Sequence, residues 1–378
     1  MRKSIFYTTM FLLFFVFLSS CNNKSKTDEN KTKTDTATVN EKIDTVVIIK
    51  HIPVTTKKET AYKKEERKKA KNLNPLPSWN NTKTKKTIID FVTTVTDKNS
   101  QYYINPENRI ATFDNDGTLW AEQPSYFQIL FVFDRIKELA KENPKLKRDK
   151  LVKAVVNDDL ETVRKYGISG LGNLMSIAQS GVTTDEFEAI MKKWIKTAKH
   201  PETGKLYSQM VYLPMLELIS YLENNDFMVY MVSGSGTDFM RPWSESVFGI
   251  PENHVLGSRQ KLEYKIENGK PVLVKLPEVD YNNHYKAKPV SIYQIIGKKP
   301  VVAFGNADDD IPMLQWTMSG DGKRLAGIVH HTDSVREWAY DKNSRTGELD
   351  KGLEEAVKNN WLIIDMKKDW KVIFPYEL

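Results

Sequence analysis

The chain has 378 residues, 40% of them hydrophobic, which is enough for one large or two ordinary domains with a real core. Its formal charge of +7 sits near the amino terminus: residues 22–72 carry fourteen Lys and Arg against eight Asp and Glu, and Arg2 and Lys3 add two more. The nearly neutral remainder lacks the basic footprint of a nucleic-acid binder, and the single cysteine excludes an internal disulfide and a cysteine-based metal site.

In chain order, Arg2 and Lys3 precede a mostly apolar run from Ile5 to Leu18, too short for a comfortable membrane span. The Leu18-Ser19-Ser20-Cys21 segment that follows resembles the lipobox of a bacterial lipoprotein signal. That resemblance implies removal of residues 1–20, a lipid on Cys21, export to the cell envelope and attachment to a membrane. Asn22, in place of the Asp that often retains lipoproteins at an inner membrane, points to the outer one. Residues 21–75 are rich in Lys, Thr, Asp and Glu and cannot bury enough apolar surface to offset ordering, so they read as a disordered charged tether. The apolar island Val46-Val47-Ile48-Ile49 interrupts it, and Pro75-Leu76-Pro77 closes it ahead of Trp79.

Beyond Trp79, short apolar runs alternate with helical patterns. Ile110-Ala111-Thr112-Phe113 ends in an acidic run, and Met228-Val229-Tyr230-Met231-Val232 ends in Ser233-Gly234-Ser235-Gly236. Pro300-Val301-Val302-Ala303-Phe304 ends in Gly305-Asn306-Ala307-Asp308-Asp309-Asp310, and Leu325-Ala326-Gly327-Ile328-Val329 ends in His330-His331. Continuous apolar strands followed by polar loops predict an α/β fold, a doubly wound and mainly parallel sheet whose ligands gather at the strand ends. Between the first two strands the period becomes helical. Ile129, Phe133, Ile136 and Ala140 share a face, and Thr183 with Glu186 forms a capping box before Phe187, Ile190, Met191, Trp194 and Ile195. Residues 123–203 therefore read as an inserted α-helical cap, and residues 76–122 with 204–378 as the core. Residues 361–375 read as an edge element.

The run Phe113-Asp114-Asn115-Asp116-Gly117-Thr118 places two carboxyl groups at a strand tip, one to attack and one to handle protons. So much negative charge would repel a phosphate unless a divalent cation with oxygen ligands, Mg2+, lay between. Four motifs in order then resemble the haloacid dehalogenase superfamily of phosphohydrolases, over roughly residues 108–338 and nearest its phosphoserine-phosphatase-like members. They are the Asp114 run, Val232-Ser233-Gly234-Ser235-Gly236, Lys288 in Lys286-Ala287-Lys288-Pro289, and Gly305 to Asp310 with Met313-Leu314.

The resemblance implies a Mg2+-dependent phosphomonoesterase acting on a small phosphorylated substrate. Asp114 is then the nucleophile and Asp116 the acid and base. Ser233, Gly234 and Lys288 bind phosphate, with Lys286 the alternative lysine. Asp114, the Asp116 carbonyl, Asn306 and Asp310 hold Mg2+. Asn306 departs from the usual Asp and shifts the expected weight to Asp310 or Asp309. Glu122 is a candidate for reading the substrate, and His330 or its neighbour His331 for facing it. Arg241 is a further candidate anion contact. A phosphotransferase or phosphomutase, and a non-catalytic lipoprotein that binds a phosphorylated ligand, are the alternatives. Nothing in the sequence sets an oligomeric state.

Overall fold

The structure is a computed structural model that describes residues 74–378. The expected signal, Cys21 and nearly all of the tether lie outside the described residues.

Seven strands form one sheet: β1 (Ile110–Phe113), β2 (Met228–Gly236), β3 (Val255–Glu267), β4 (Lys270–Tyr281), β5 (Val302–Gly305), β6 (Leu325–His330) and β7 (Leu362–Asp365). Their order is β4-β3-β2-β1-β5-β6-β7. Every neighbouring pair is parallel except β3 with β4. The centre is β1, buried along its whole length, as a strand covered on both faces must be. Phe113 lies opposite Met231 on β2 and Phe304 on β5. That register brings the residues after all three strands out at one sheet edge, where the chain order reverses across β1.

The β3–β4 pair is a long hairpin that the apolar-run reading passes over, because Leu262, Tyr264, Ile266 and Leu273 alternate with charges and stay exposed. Its turn is Asn268-Gly269, both at positive φ (51° and 75°). This is the dipeptide that tight two-residue hairpins favour. The helix Lys83–Thr96, capped by Thr82, is a further addition and buries Ile88, Phe91, Val92 and Val95.

Five α-helices and two short 3-10 turns separate β1 from the helix Leu213–Glu223 that leads back into β2. The first, Phe127–Glu142, buries Phe127, Phe131, Val132, Ile136 and Ala140. Its inward face is thus rotated from the expected one, and Ile129 and Phe133 are only partly buried. The cause is an aromatic cluster. Phe127 meets Trp120 at 4.7 Å, while Phe131 meets Trp194 at 5.5 Å and Phe239 at 5.8 Å between ring centres. Thr183 and Glu186 form the expected reciprocal cap of Thr184–Thr197, which buries Phe187, Met191, Trp194 and Ile195. These helices share one hydrophobic cluster with the sheet. Among the described residues no helix is long and apolar enough to cross a membrane.

At the carboxyl end, β7 forms the sheet edge opposite the hairpin. Trp370 beyond it packs edge-on against Trp79 at 6.0 Å, joining the two ends of the described chain.

Candidate active site

Asp114 leaves β1 with its backbone N–H donating to the Phe304 carbonyl at 2.9 Å, so the first acidic loop starts beside the end of β5. The turn beyond it needs Gly117, at φ +74°, where a Cβ would overlap the side chains of Asn306 and Glu122. Asp114 and Asp116 are both buried, 5% and 6% exposed, yet their surroundings differ.

Lys288 Nζ donates to Asp114 Oδ1 at 2.8 Å and to Asp310 Oδ1 at 2.6 Å, and lies 2.9 Å from Asp309 Oδ2. Burial raises the Asp114 carboxyl well above the usual range, Asp310 adds to that, and the Lys288 ammonium opposes it. Burial also works against the charge on Lys288, but Asp114, Asp310 and Asp309 together hold it well above its ordinary value.

Asp116 is held by neutral donors. Trp120 Nε1 donates to its Oδ1 at 2.9 Å, and Ser235 Oγ and Ser233 Oγ donate to its Oδ2 at 2.7 and 3.3 Å. Burial raises its pKa, and the bonds from Ser235, Trp120 and Ser233 moderate the rise. One carboxyl therefore faces a fixed cation, and the other faces hydroxyl and indole donors that accept either protonation state. Two aspartates so divided suit a nucleophile and a proton carrier.

The serine-bearing end of β2 is pinned from behind. Asn283 Nδ2 donates to the Ser233 carbonyl at 2.9 Å and Ser258 Oγ to the Gly234 carbonyl at 2.7 Å. A Cβ at Gly234 would overlap the His284 ring, whose Nδ1 lies 3.3 Å from Asp309 Oδ1. Asn283, His284 and Ser258 escape sequence reading because isolated polar residues in loops carry no pattern. Lys286 is exposed and Lys288 buried, so the structure brings Lys288 and not Lys286 into the site. Arg241 lies elsewhere, donating to the Glu252 carbonyl at 3.1 Å.

The fourth motif differs from expectation. Asp308 caps the helix Lys351–Asn359, accepting from the N–H groups of Asp350, Lys351 and Gly352. Burial works to raise Asp309, but Lys288 and His284 leave it below the usual range. Asp310 gives one oxygen to Lys288 and the other to the backbone N–H groups of Asn306 and Ala307, at 3.0 and 3.2 Å. Both side chains contact Lys288, and Asp310 also fixes the loop. Among the described residues no three His, Cys, Asp or Glu side chains converge on one cation position. The oxygen donors not engaged with Lys288 alone include the Asp116 carbonyl and the Asn306 amide oxygen, beside the Asp114 carboxylate. A hard cation accepts such a mixed set, so these residues fit Mg2+ with one charged ligand and two neutral ones.

Glu122 is wholly buried and packed behind this edge. Its Oε1 accepts from Asn306 Nδ2 at 2.7 Å and from the Tyr340 hydroxyl at 2.8 Å. Burial pushes its carboxyl up to about 7. Its contacts in this structure are to Asn306 and Tyr340. His330 is turned toward Asp341, 3.9 Å away. The inward residue is His331, with Nε2 2.8 Å from the Gly117 carbonyl and Nδ1 3.1 Å from Glu337. Burial lowers His331, but Glu337 more than offsets this and its pKa is raised.

The family model for haloacid dehalogenase-like hydrolase matches residues 111–315, more than half of the chain. The chain belongs to that family. Solved structures similar to this hydrolase include a protein of unknown function from Bordetella pertussis Tohama I, at 14% identity and TM-score 0.45, covering 68% of this chain and 99% of that one. A functionally unknown protein from Anaerococcus prevotii DSM 20548 shares 17% identity at TM-score 0.48, over 74% of this chain and 90% of the other. A probable phosphoserine phosphatase from Vibrio cholerae shares 14% identity at TM-score 0.33, over 63% and 62%. No curated protein matched.

Proposed function

We propose that this haloacid dehalogenase-like hydrolase is a Mg2+-dependent phosphomonoesterase that works through a phosphorylated Asp114. The observation that supports it most is the unequal pair at the end of β1, with Asp114 against the buried Lys288 ammonium and Asp116 among Trp120, Ser233 and Ser235. The ionised Asp114 carboxylate attacks phosphorus, and the ester oxygen departs with the proton of Asp116. Asp116, now a carboxylate, takes a proton from water as that water attacks the phosphorus, releasing phosphate and restoring Asp114. Lys288 and the Ser233 hydroxyl receive the phosphate oxygens, and Lys288 favours the ionised form of Asp114. Bound Mg2+, held by Asp114, the Asp116 carbonyl and Asn306, would supply charge neutralisation of the phosphate.

The helical segment of residues 123–203 is the proposed cap, and the substrate is a small phosphorylated metabolite. Phosphate release from a generic aryl phosphate, with Mg2+ and with chelator, tests the reading. Release only with Mg2+ supports it, and none on a broad panel of phosphate esters sinks it. Phosphate appearing on an added alcohol would replace hydrolysis by transfer.

The signal-like start further supports a lipoprotein of the cell envelope anchored at Cys21 in the outer membrane. Cys21→Ser should move the protein from the membrane to the soluble fraction after expression in a bacterial host. An unchanged membrane fraction would overturn the anchor.

A further inference from the structure

Asn306 supplies an amide where the motif usually has a carboxylate, and an amide has a wrong way round. Turned one way it offers an oxygen to a cation, and turned the other way an NH2 group that repels it. Asn306 is 1% exposed, so water cannot choose the orientation. One protein contact does, and a second is compatible with it. Nδ2 donates to Glu122 Oε1 at 2.7 Å, and Oδ1 accepts from Thr118 Oγ1 at 3.0 Å, within the loop that carries Asp114 and Asp116. Glu122 Oε1 accepts whichever protonation state the carboxyl holds on its other oxygen, so the NH2 end is committed to it.

Glu122 is itself seated with little freedom. A Cβ at Gly117 or at Gly347 would overlap its Oε1, and both glycines have positive φ, 74° and 69°. Tyr340 donates to the same oxygen, and the Tyr340 ring stacks on His331 at 4.3 Å. His331 in turn holds the Gly117 carbonyl. The acceptor behind Asn306 is thus held by Gly117 of the Asp114 loop together with Gly347 and Tyr340, which lie outside that loop and the cap.

We propose that Glu122 is a positioning residue that holds the Asn306 amide with its oxygen toward the cation, residues 122 and 306 acting as one acceptor–donor pair. The proposal rests on the Mg2+-dependent reading above. It explains why restoring a carboxylate at position 306 should not help. In Asn306→Asp the second oxygen would face Glu122 Oε1 at hydrogen-bond distance, so the two carboxyls would have to share a proton in place of the fixed amide donor. Glu122→Gln in the same chain returns a donor to that gap.

The test is titration of MgCl2 alone into the full-length protein by calorimetry, alongside thermal melts in chelator. The variants are Asn306→Asp, Glu122→Gln and the double exchange. Asn306→Asp should weaken Mg2+ binding by about 10-fold or more despite its added charge, on the scale of lost support behind a ligand. The double exchange should recover to within roughly threefold of the parent, as expected of a directly coupled pair. Should Asn306→Asp fail to fold, recovery of folding and binding in the double exchange still supports the pairing. Tighter binding by Asn306→Asp, or a double exchange no better than that single variant, overturns it. A parent protein that takes up no Mg2+ overturns the cation reading itself, and the pairing with it.

Discussion

At the scale of single residues, this site separates two aspartates two positions apart by what each one touches. Asp114 meets Lys288 at 2.8 Å, whereas Asp116 meets only neutral donors. Asp116→Asn keeps the shape of the side chain and an acceptor for Trp120 but cannot carry a proton. Its kcat on an ester with a poor leaving group should fall by about 10²–10⁴-fold, and less on an aryl phosphate whose leaving group needs no proton. Equal losses on both esters would contradict the proton-carrying role. Glu122 provides a pH test without catalysis. Its carboxyl, normally near 4.5, is pushed up to about 7, so the folded state binds that proton more tightly than the unfolded one. The stabilisation is complete below about 4.5 and is lost as pH rises through 7, roughly 3 kcal/mol in all. His331, also raised, loses stability in the same direction. Metal-free urea unfolding should therefore show greater stability at pH 5 than at pH 8, with a flatter profile for Glu122→Gln. An unchanged slope in that variant would place the linkage elsewhere.

At the scale of elements, chemistry depends on loops that strands deliver to one edge. Ile110–Phe113 and Val302–Gly305 are legible because strands buried on both faces must be continuously apolar, and each ends directly in its motif. The capping box at Thr183 is legible because both partners lie within four residues. The hairpin of β3 and β4 is not, since its alternating residues are exposed and only Asn268-Gly269 marks the turn. Contacts set across the fold were equally hidden. Glu122 and Asn306 are 184 positions apart, and no spacing rule joins them. The same holds for Asp310, whose place in the motif suggests a metal ligand while its two oxygens secure Lys288 and the loop backbone. Gly117 tests the loop as a unit. Gly117→Ala adds a Cβ at φ +74° against Asn306 and Glu122. It should cost about 1–3 kcal/mol of stability and lower Mg2+ affinity together. Full Mg2+ affinity in a folded Gly117→Ala protein would show that the loop tolerates the shift and that Glu122 does not depend on it.

At the scale of the whole molecule, a parallel sheet with its order reversed at β1 gathers Asp114, Ser233, Lys288 and Asn306 from four separate segments of the chain. The helices between β1 and β2 pack on the same core through Trp120, Phe131, Trp194 and Phe239. That architecture was foreseeable from strand ends and helical periods, whereas the partner of each polar side chain needed the fold. The central claim is that Asp114 takes the phosphoryl group, and the most direct measurement is turnover of an aryl phosphate by the Asp114→Asn protein in saturating Mg2+. Its amide keeps the shape of the side chain and removes the nucleophile, so kcat should fall at least about 10³-fold while the thermal midpoint in chelator does not drop. Turnover by Asp114→Asn at the parental rate would contradict the claim.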